Sequence, residues 1–97
     1  MIVDIQLSPG HADWPRLRDA VLEAESRGFG AVWVFDHLAG GVLGGETMLE
    51  CCTLLGALAE ATSTIELGTM VANVWNRQPG TLLAAAASVV ELSLIHI

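Results

Sequence analysis

Lysine is absent, and four arginines and three histidines are the only basic side chains. Against them stand eleven carboxylates, for a formal net charge of −7. Binding to nucleic acid needs basic side chains clustered on one face to displace the counterions of the phosphates, so no nucleic-acid partner is expected. Charge of either sign is scarce: 15% of the residues are charged and 53% hydrophobic, whereas an average soluble domain carries about 25% charged. Long hydrophobic runs are also lacking. The longest, residues 82–90, is rich in alanine and is about half of the ~20 residues that a spanning helix needs. The start, Met1-Ile2-Val3-Asp4, has neither the basic region nor the apolar core of a signal peptide. No membrane association and a cytoplasmic location are therefore expected. Cysteine is limited to the adjacent pair Cys51 and Cys52. Helix neighbours point about 100° apart, and no second pair completes a zinc site, so buried, inert thiols and no metal site are expected.

A chain of 97 residues buries only about 60–65% of its unfolded surface and should be more polar than average. The apolar excess leads us to expect that further protein, or a partner subunit, covers much of this surface.

What is present is a regular alternation of strand and helix patterns. Residues 2–7 read as a first strand, ended by Ser8-Pro9-Gly10. Asp13 is suited to cap a helix, Pro15 falls in its first turn, and Trp14, Leu17, Val21 and Ala24 recur on one face. Gly28 is placed to end it. Residues 31–35, Ala-Val-Trp-Val-Phe, are apolar at every position, the pattern of a parallel strand covered on both faces. After a loop with four glycines, a second helix is expected from about residue 47 to 61, with Met48, Cys52, Leu55 and Ala59 on one face. A third strand is expected over residues 65–72 and a third helix over 81–92. The order β-α-β-α-β-α implies a parallel sheet, of either a doubly wound open sheet or a (β/α)8 barrel. The turn Ser8-Pro9-Gly10-His11-Ala12-Asp13 does not match the Gly-x-Gly-x-x-Gly of dinucleotide-binding sheets, and no P-loop is present. The barrel is the stronger reading: an α/β fold made of the N-terminal three βα units of a (β/α)8 TIM barrel, truncated.

In both architectures ligands sit outside the carboxyl ends of the strands. That rule singles out Asp36 and His37 after the second strand, and residues 70–73 at the end of the third. His37 has a side chain that titrates near neutrality and can move a proton, or it simply caps a loop. Asp36 can accept a hydrogen bond from a ligand, orient His37, or cap the turn. Being adjacent, the two need not act as a pair. Asn73 and Asn76 offer amides to a ligand or form turns. Arg77 can bind an anion or neutralise a carboxylate such as Glu46 or Glu50. Trp33 is expected in the core, Trp75 in a pocket wall or an oligomer contact, and His11 at the carboxyl end of the first strand. His96 is given no role.

The run Gly28-Phe29-Gly30-Ala31-Val32-Trp33-Val34-Phe35-Asp36-His37-Leu38 resembles the second-strand segment of the luciferase-like monooxygenase superfamily. Glu46-Thr47-Met48-Leu49-Glu50 through Ala61-Thr62 is similar to its second helix. Ile65-Glu66-Leu67-Gly68-Thr69-Met70-Val71 looks like its third strand, and Arg77-Gln78-Pro79 like its Arg-x-Pro turn. The resemblance covers residues 3–93 and implies a (β/α)8 barrel that uses reduced FMN with oxygen, or the deazaflavin coenzyme F420 without it. Asp36-His37-Leu38 after Trp33-Val34-Phe35 looks most like the F420-dependent branch. There the resemblance implies Asp36 at the cofactor and His37 as the catalytic proton donor or acceptor during hydride transfer. It also implies a non-proline cis peptide at Met70–Val71 backing the ring, with Asn73 as a further cofactor contact.

The resemblance ends after Ser93, where the family continues Gly-Gly-Arg and this chain reads Leu94-Ile95-His96-Ile97. A barrel takes about 250 residues. The expectation is thus a partial barrel domain over residues 1–93, a foreign tail over 94–97, and no activity of the piece alone. The complete protein is expected to be an F420-dependent oxidoreductase acting on a small molecule, a homodimer by analogy. The alternatives are an FMN-dependent monooxygenase, a metal-dependent barrel hydrolase with Asp36 and His37 as ligands, and a small self-assembling module without enzymatic activity.

Overall fold

The computed structural model describes residues 1–10, 13–38 and 48–93. Its elements are β1 (Ile5–Leu7), α1 (Trp14–Ser26), β2 (Ala31–Val34), α2 (Cys51–Ala61), β3 (Glu66–Thr69) and α3 (Pro79–Ser93). His11, Glu46, the glycine-rich loop, and the expected tail with His96 lie outside the described residues.

Each helix begins and ends for a local chemical reason. Asp13 holds an extended backbone and accepts the amide N–H of Arg16 at 3.1 Å, so α1 starts as its sequence implies. At the other end Gly28 takes φ +83°, and the N–H groups of Gly28 and Phe29 reach back to the carbonyls of Glu25 and Ala24. This left-handed turn is open to glycine at no steric cost. Helix α2 begins at Cys51 rather than near residue 47, because the Glu50 carboxylate takes the amides of Cys52 and Thr53 and stops the helix there. Helix α3 starts at Pro79, two residues before the expected point, since a proline in the first turn gives up no helical hydrogen bond.

The three strands form one parallel sheet in the order β1-β2-β3, with Gln6, Trp33 and Gly68 in register across it. All three strands are shorter than the apolar runs that contain them. The pairing ends at Val34 and Thr69, although Met70 still donates its N–H to the carbonyl of Val34 at 2.9 Å.

Strand alternation sends Val32, Val34, Ile65 and Leu67 to one face, where they meet Leu17, Val21 and Ala24 of α1 and Leu54, Leu55, Leu58 and Ala59 of α2. Of the expected stripe Leu55 and Ala59 are buried, together with Cys51, Leu54 and Leu58, whereas Cys52 is half-buried and Met48 precedes the helix. The opposite face carries the row Gln6, Trp33 and Gly68. Trp33 is therefore not in the core between helices and sheet. It is partly exposed on the other face, its indole N–H donating to Asp4 at 3.0 Å. A Cβ on Gly68 would lie 2.5 Å from the Trp33 ring, so only glycine lets the indole lie across β3.

One anchor joins α1 to the start of β3. Glu25, in the last turn of α1, accepts the backbone N–H groups of Ser63, Thr64 and Ile65 at 2.8, 2.8 and 3.0 Å. Burial works to raise its pKa, but the amides of Thr64, Ile65 and Ser63 outweigh it and hold the carboxyl below its ordinary value.

The apolar excess of the composition is visible on the surface. Leu83 and Leu92 of α3, with Val71, Val74 and Trp75 before it, are exposed. Only Val89 and Ser93 of α3 are buried. Both β1 and β3 are edge strands of the described sheet. Among the described residues no helix is long and apolar enough to cross a membrane.

Candidate functional site

A cleft of about 480 Å³ opens at the carboxyl ends of β2 and β3, lined by residues 35–37 and 70–74. The two segments meet because parallel strands in register deliver their C-terminal ends to the same side of the sheet. His37 is exposed at its rim, and its ring meets that of Phe35 edge-on, with centroids 6.0 Å apart at 84°. Met70 and Val71 form an apolar wall, and the peptide bond between them is cis, as the resemblance implied.

Asp36 and His37 are neighbours in sequence and diverge in space. The Asp36 side chain has no exposed surface, whereas His37 faces solvent. Asp36 Oδ2 accepts from Arg77 Nη1 at 2.6 Å and from the backbone N–H of Asn73 at 2.7 Å. Oδ1 accepts from Arg77 Nη2 at 3.0 Å and from Asn76 Nδ2 at 3.2 Å, and Nδ2 also donates to the Asp36 carbonyl. Both carboxylate oxygens are thus satisfied from within the chain, and the small exposed part of Asp36 is backbone. Arg77 Nη2 also donates to Glu50 Oε2 at 2.6 Å. One guanidinium therefore ties the end of β2 and the start of α2 to the turn that leads into α3.

Each charge in this group is held by its neighbours. Burial works to raise the pKa of Asp36, but Arg77, the Asn73 amide and Asn76 more than offset it and keep the carboxyl below its ordinary value. For Glu50, burial is outweighed by the hydroxyl and amide of Thr53, the amide of Cys52, and Arg77. The Asp36 hydrogen bonds push Arg77 upward against the effect of burial. Cys51, next to Glu50, is pushed up to about 12 by burial first and then by the nearby negative charges. It is a free, buried thiol, as its sequence context implies. Cys52 is only half-buried, and burial raises it as well.

These shifts set the acid limit of the fold. Asp36, Glu50 and Glu25 titrate lower in the folded state than the ordinary carboxyl range near about 4. Their stabilisation is fully present above that range and is lost as pH falls through the depressed folded values. Arg77 titrates far above this window in either state and adds no slope there. The urea midpoint should therefore hold level from pH 7 to about 5 and fall steeply below about 4. Circular dichroism at a series of pH values checks this, and a level midpoint down to pH 2.5 contradicts it.

Of the residues singled out by sequence, the structure brings Asp36, His37, Met70, Val71 and Asn73 to one cleft, with the Asp36 side chain sealed from solvent. Asn73 forms a turn through its Oδ1, which accepts the N–H of Trp75 at 3.0 Å. Asn76 and Arg77 turn away toward Asp36 and Glu50, so Arg77 neutralises carboxylates. Trp75 is exposed and lies outside the cleft lining. Among the described residues no group of three His, Cys, Asp or Glu side chains converges as metal ligands. Sequence reading offered Glu50 as a partner of Arg77 but missed its part as the cap of α2. Its signal was Glu-x-x-Thr at the start of an apolar helical run, an acidic cap with a hydroxyl three residues on.

The model of the luciferase-like monooxygenase family matches residues 3–94. Among solved structures, the coenzyme F420-dependent tetrahydromethanopterin reductase of Methanopyrus kandleri superposes with a TM-score of 0.81 at 24% identity, over 95% of this chain and 24% of that one. The chain thus spans about a quarter of the length of that protein. No curated protein matches. The three parallel βα units, with strand order 1-2-3, match the start of that barrel fold. With the family model spanning nearly all of its length, the chain belongs to the luciferase-like monooxygenase family.

Proposed function

We propose that this chain forms one wall of the cofactor cleft of an F420-dependent oxidoreductase, which passes hydride to or from a small organic molecule. The observation that carries the reading is the convergence of His37 with Met70, Val71 and Asn73 at the strand ends. The cleft fits a planar tricyclic ring in kind. Its volume lies within the roughly 300–1,000 Å³ of ligand pockets, and its lining is mostly apolar with a few polar groups. Met70 and Val71 supply an apolar surface for one face of the ring. Among the described residues the Asn73 Oδ1 accepts the Trp75 N–H, its carbonyl accepts the Asn76 N–H and its backbone N–H donates to Asp36, which leaves its side-chain N–H groups for a ligand. When bound, a deazaflavin supplies hydride transfer without oxygen.

His37 is the proton-moving group in this reading. It stands at the open rim, where a substrate hydroxyl or carbonyl can reach it, edge-on to the ring of Phe35. An imaginary partner carboxylate is not needed: Asp36 faces inward, so His37 exchanges its proton with substrate or solvent. The fluorescence of F420 gives a direct test. Titration of the purified chain should show saturable binding of F420, weakened when Val71 is changed to Asp. Binding of FMN in its place would favour the monooxygenase branch, and binding of neither would remove the reading.

A further inference from the structure

We propose that Arg77, backed by Glu50, is a positioning residue that sets the His37 cleft through the buried carboxylate of Asp36 and does not itself touch the ligand. This deepens the cofactor-cleft reading above and rests on it for the identity of the ligand. Three observations carry it. The His37 cleft is lined by residues 35–37 and 70–74, and Arg77 is not among them. What remains exposed of Arg77 opens instead into a separate groove between α2 and α3, shared with Glu50, Cys52, Thr81 and Ser88. The link between the two sides is Asp36, whose side chain is sealed and whose Oδ2 holds both Arg77 Nη1 and the Asn73 amide.

The physical consequence is a chain of dependence. A guanidinium forked onto a carboxylate fixes the orientation of both planes. With Asp36 so fixed, the Asn73 N–H has one place to point, and the segment from Met70 to Asn73 is held against the end of β2. Glu50 closes the third side: the same carboxylate that caps α2 also accepts from Arg77 Nη2. A lysine in place of Arg77 keeps the charge but cannot make the fork.

The test uses the full chain, labelled with 15N, and the variants Arg77→Lys, Asp36→Asn and the two combined. In each single variant the Asn73 amide should shift and exchange about tenfold faster or more, beyond any change at the core amides of α2. F420 should bind about tenfold more weakly in each. The double variant should be no worse than either single one, because both act through one carboxylate. If F420 binding falls in Arg77→Lys while the Asn73 amide stays put, Arg77 contacts the ligand and the proposal is overturned. Multiplying effects in the double variant, or a shifted Asn73 amide with unchanged affinity, overturn it too. Should wild type bind no F420, the cofactor reading falls separately, and an unmoved Asn73 amide in Arg77→Lys still overturns the link to the cleft. Where Asp36→Asn does not fold, Glu50→Gln replaces it. That variant keeps an oxygen to cap α2, and the same non-additivity with Arg77→Lys is expected.

Discussion

Replacing Arg77 with Met should destabilise the fold by about 3–5 kcal/mol, the cost of breaking a buried ion pair from one side. The substitution leaves the Asp36 carboxylate sealed from water, with only Asn73 and Asn76 as donors, and leaves Glu50 without its cation. Urea unfolding followed by circular dichroism measures the change as a lower midpoint or the loss of a folded baseline. Adding Asp36→Asn to Arg77→Met should restore part of the loss, because the uncompensated charge is then gone. A cost below about 1 kcal/mol would place the pair with exposed surface bridges, which contribute little. The exposed pair Arg27–Glu23, at 2.6 Å with both side chains more than 60% exposed, is the internal control. It should matter hardly at all.

The second large effect is expected in the core. Leu58 of α2 is 1% exposed and belongs to the cluster with Val32, Val34, Ile65 and Leu67. Leu58→Ala should cost about 2–5 kcal/mol, from lost transfer energy and from a cavity that strands and helices cannot close. Leu83 of α3 is the contrasting case, since it is 73% exposed. Leu83→Ala should change stability by no more than about 0.5 kcal/mol. The same unfolding experiment compares the two. A Leu83 effect as large as that of Leu58 would mean that the apolar face of α3 is covered in solution, by a second copy or by further protein.

Much of the fold was legible because its signals are local. The Asp13 cap, Pro15 in the first turn and the left-handed Gly28 are settled within a few residues of chain, and α1 has the bounds they imply. The unbroken apolar run of residues 31–34 announced a strand, and β2 is the central one of the described sheet, although only the face of Val32 and Val34 packs on helices. The start of α2 was misread because the helical apolar pattern extends back to Met48. What sets the first residue of the helix is the Glu50 side chain, and a cap of that kind competes with periodicity only once the helix is formed. Trp33 was misassigned for a related reason. An all-apolar strand does not say which face meets the helices, and the register opposite Gly68 decides it.

The candidate site divides in the same way. The rule that ligands gather at the carboxyl ends of parallel strands singled out residues 36–37 and 70–73 before any contact was known. The alternatives open for Asp36 and Arg77, ligand contact or internal partner, could not be decided at that stage. Their partners lie 27 to 41 residues apart in the chain, and no local pattern connects them.

By itself, then, the sequence determined the order of elements, the parallel sheet and the segments that reach the cleft, since these follow from propensity, periodicity and capping over short stretches. Only the tertiary structure decided that Asp36 turns inward to Arg77 while His37 turns outward, and that Glu25 and Glu50 tie separate elements together. The physical reason is one of range. Hydrophobic patterning acts through the average environment of a face, whereas a buried charge is tolerated only beside the few donors that folding brings to it.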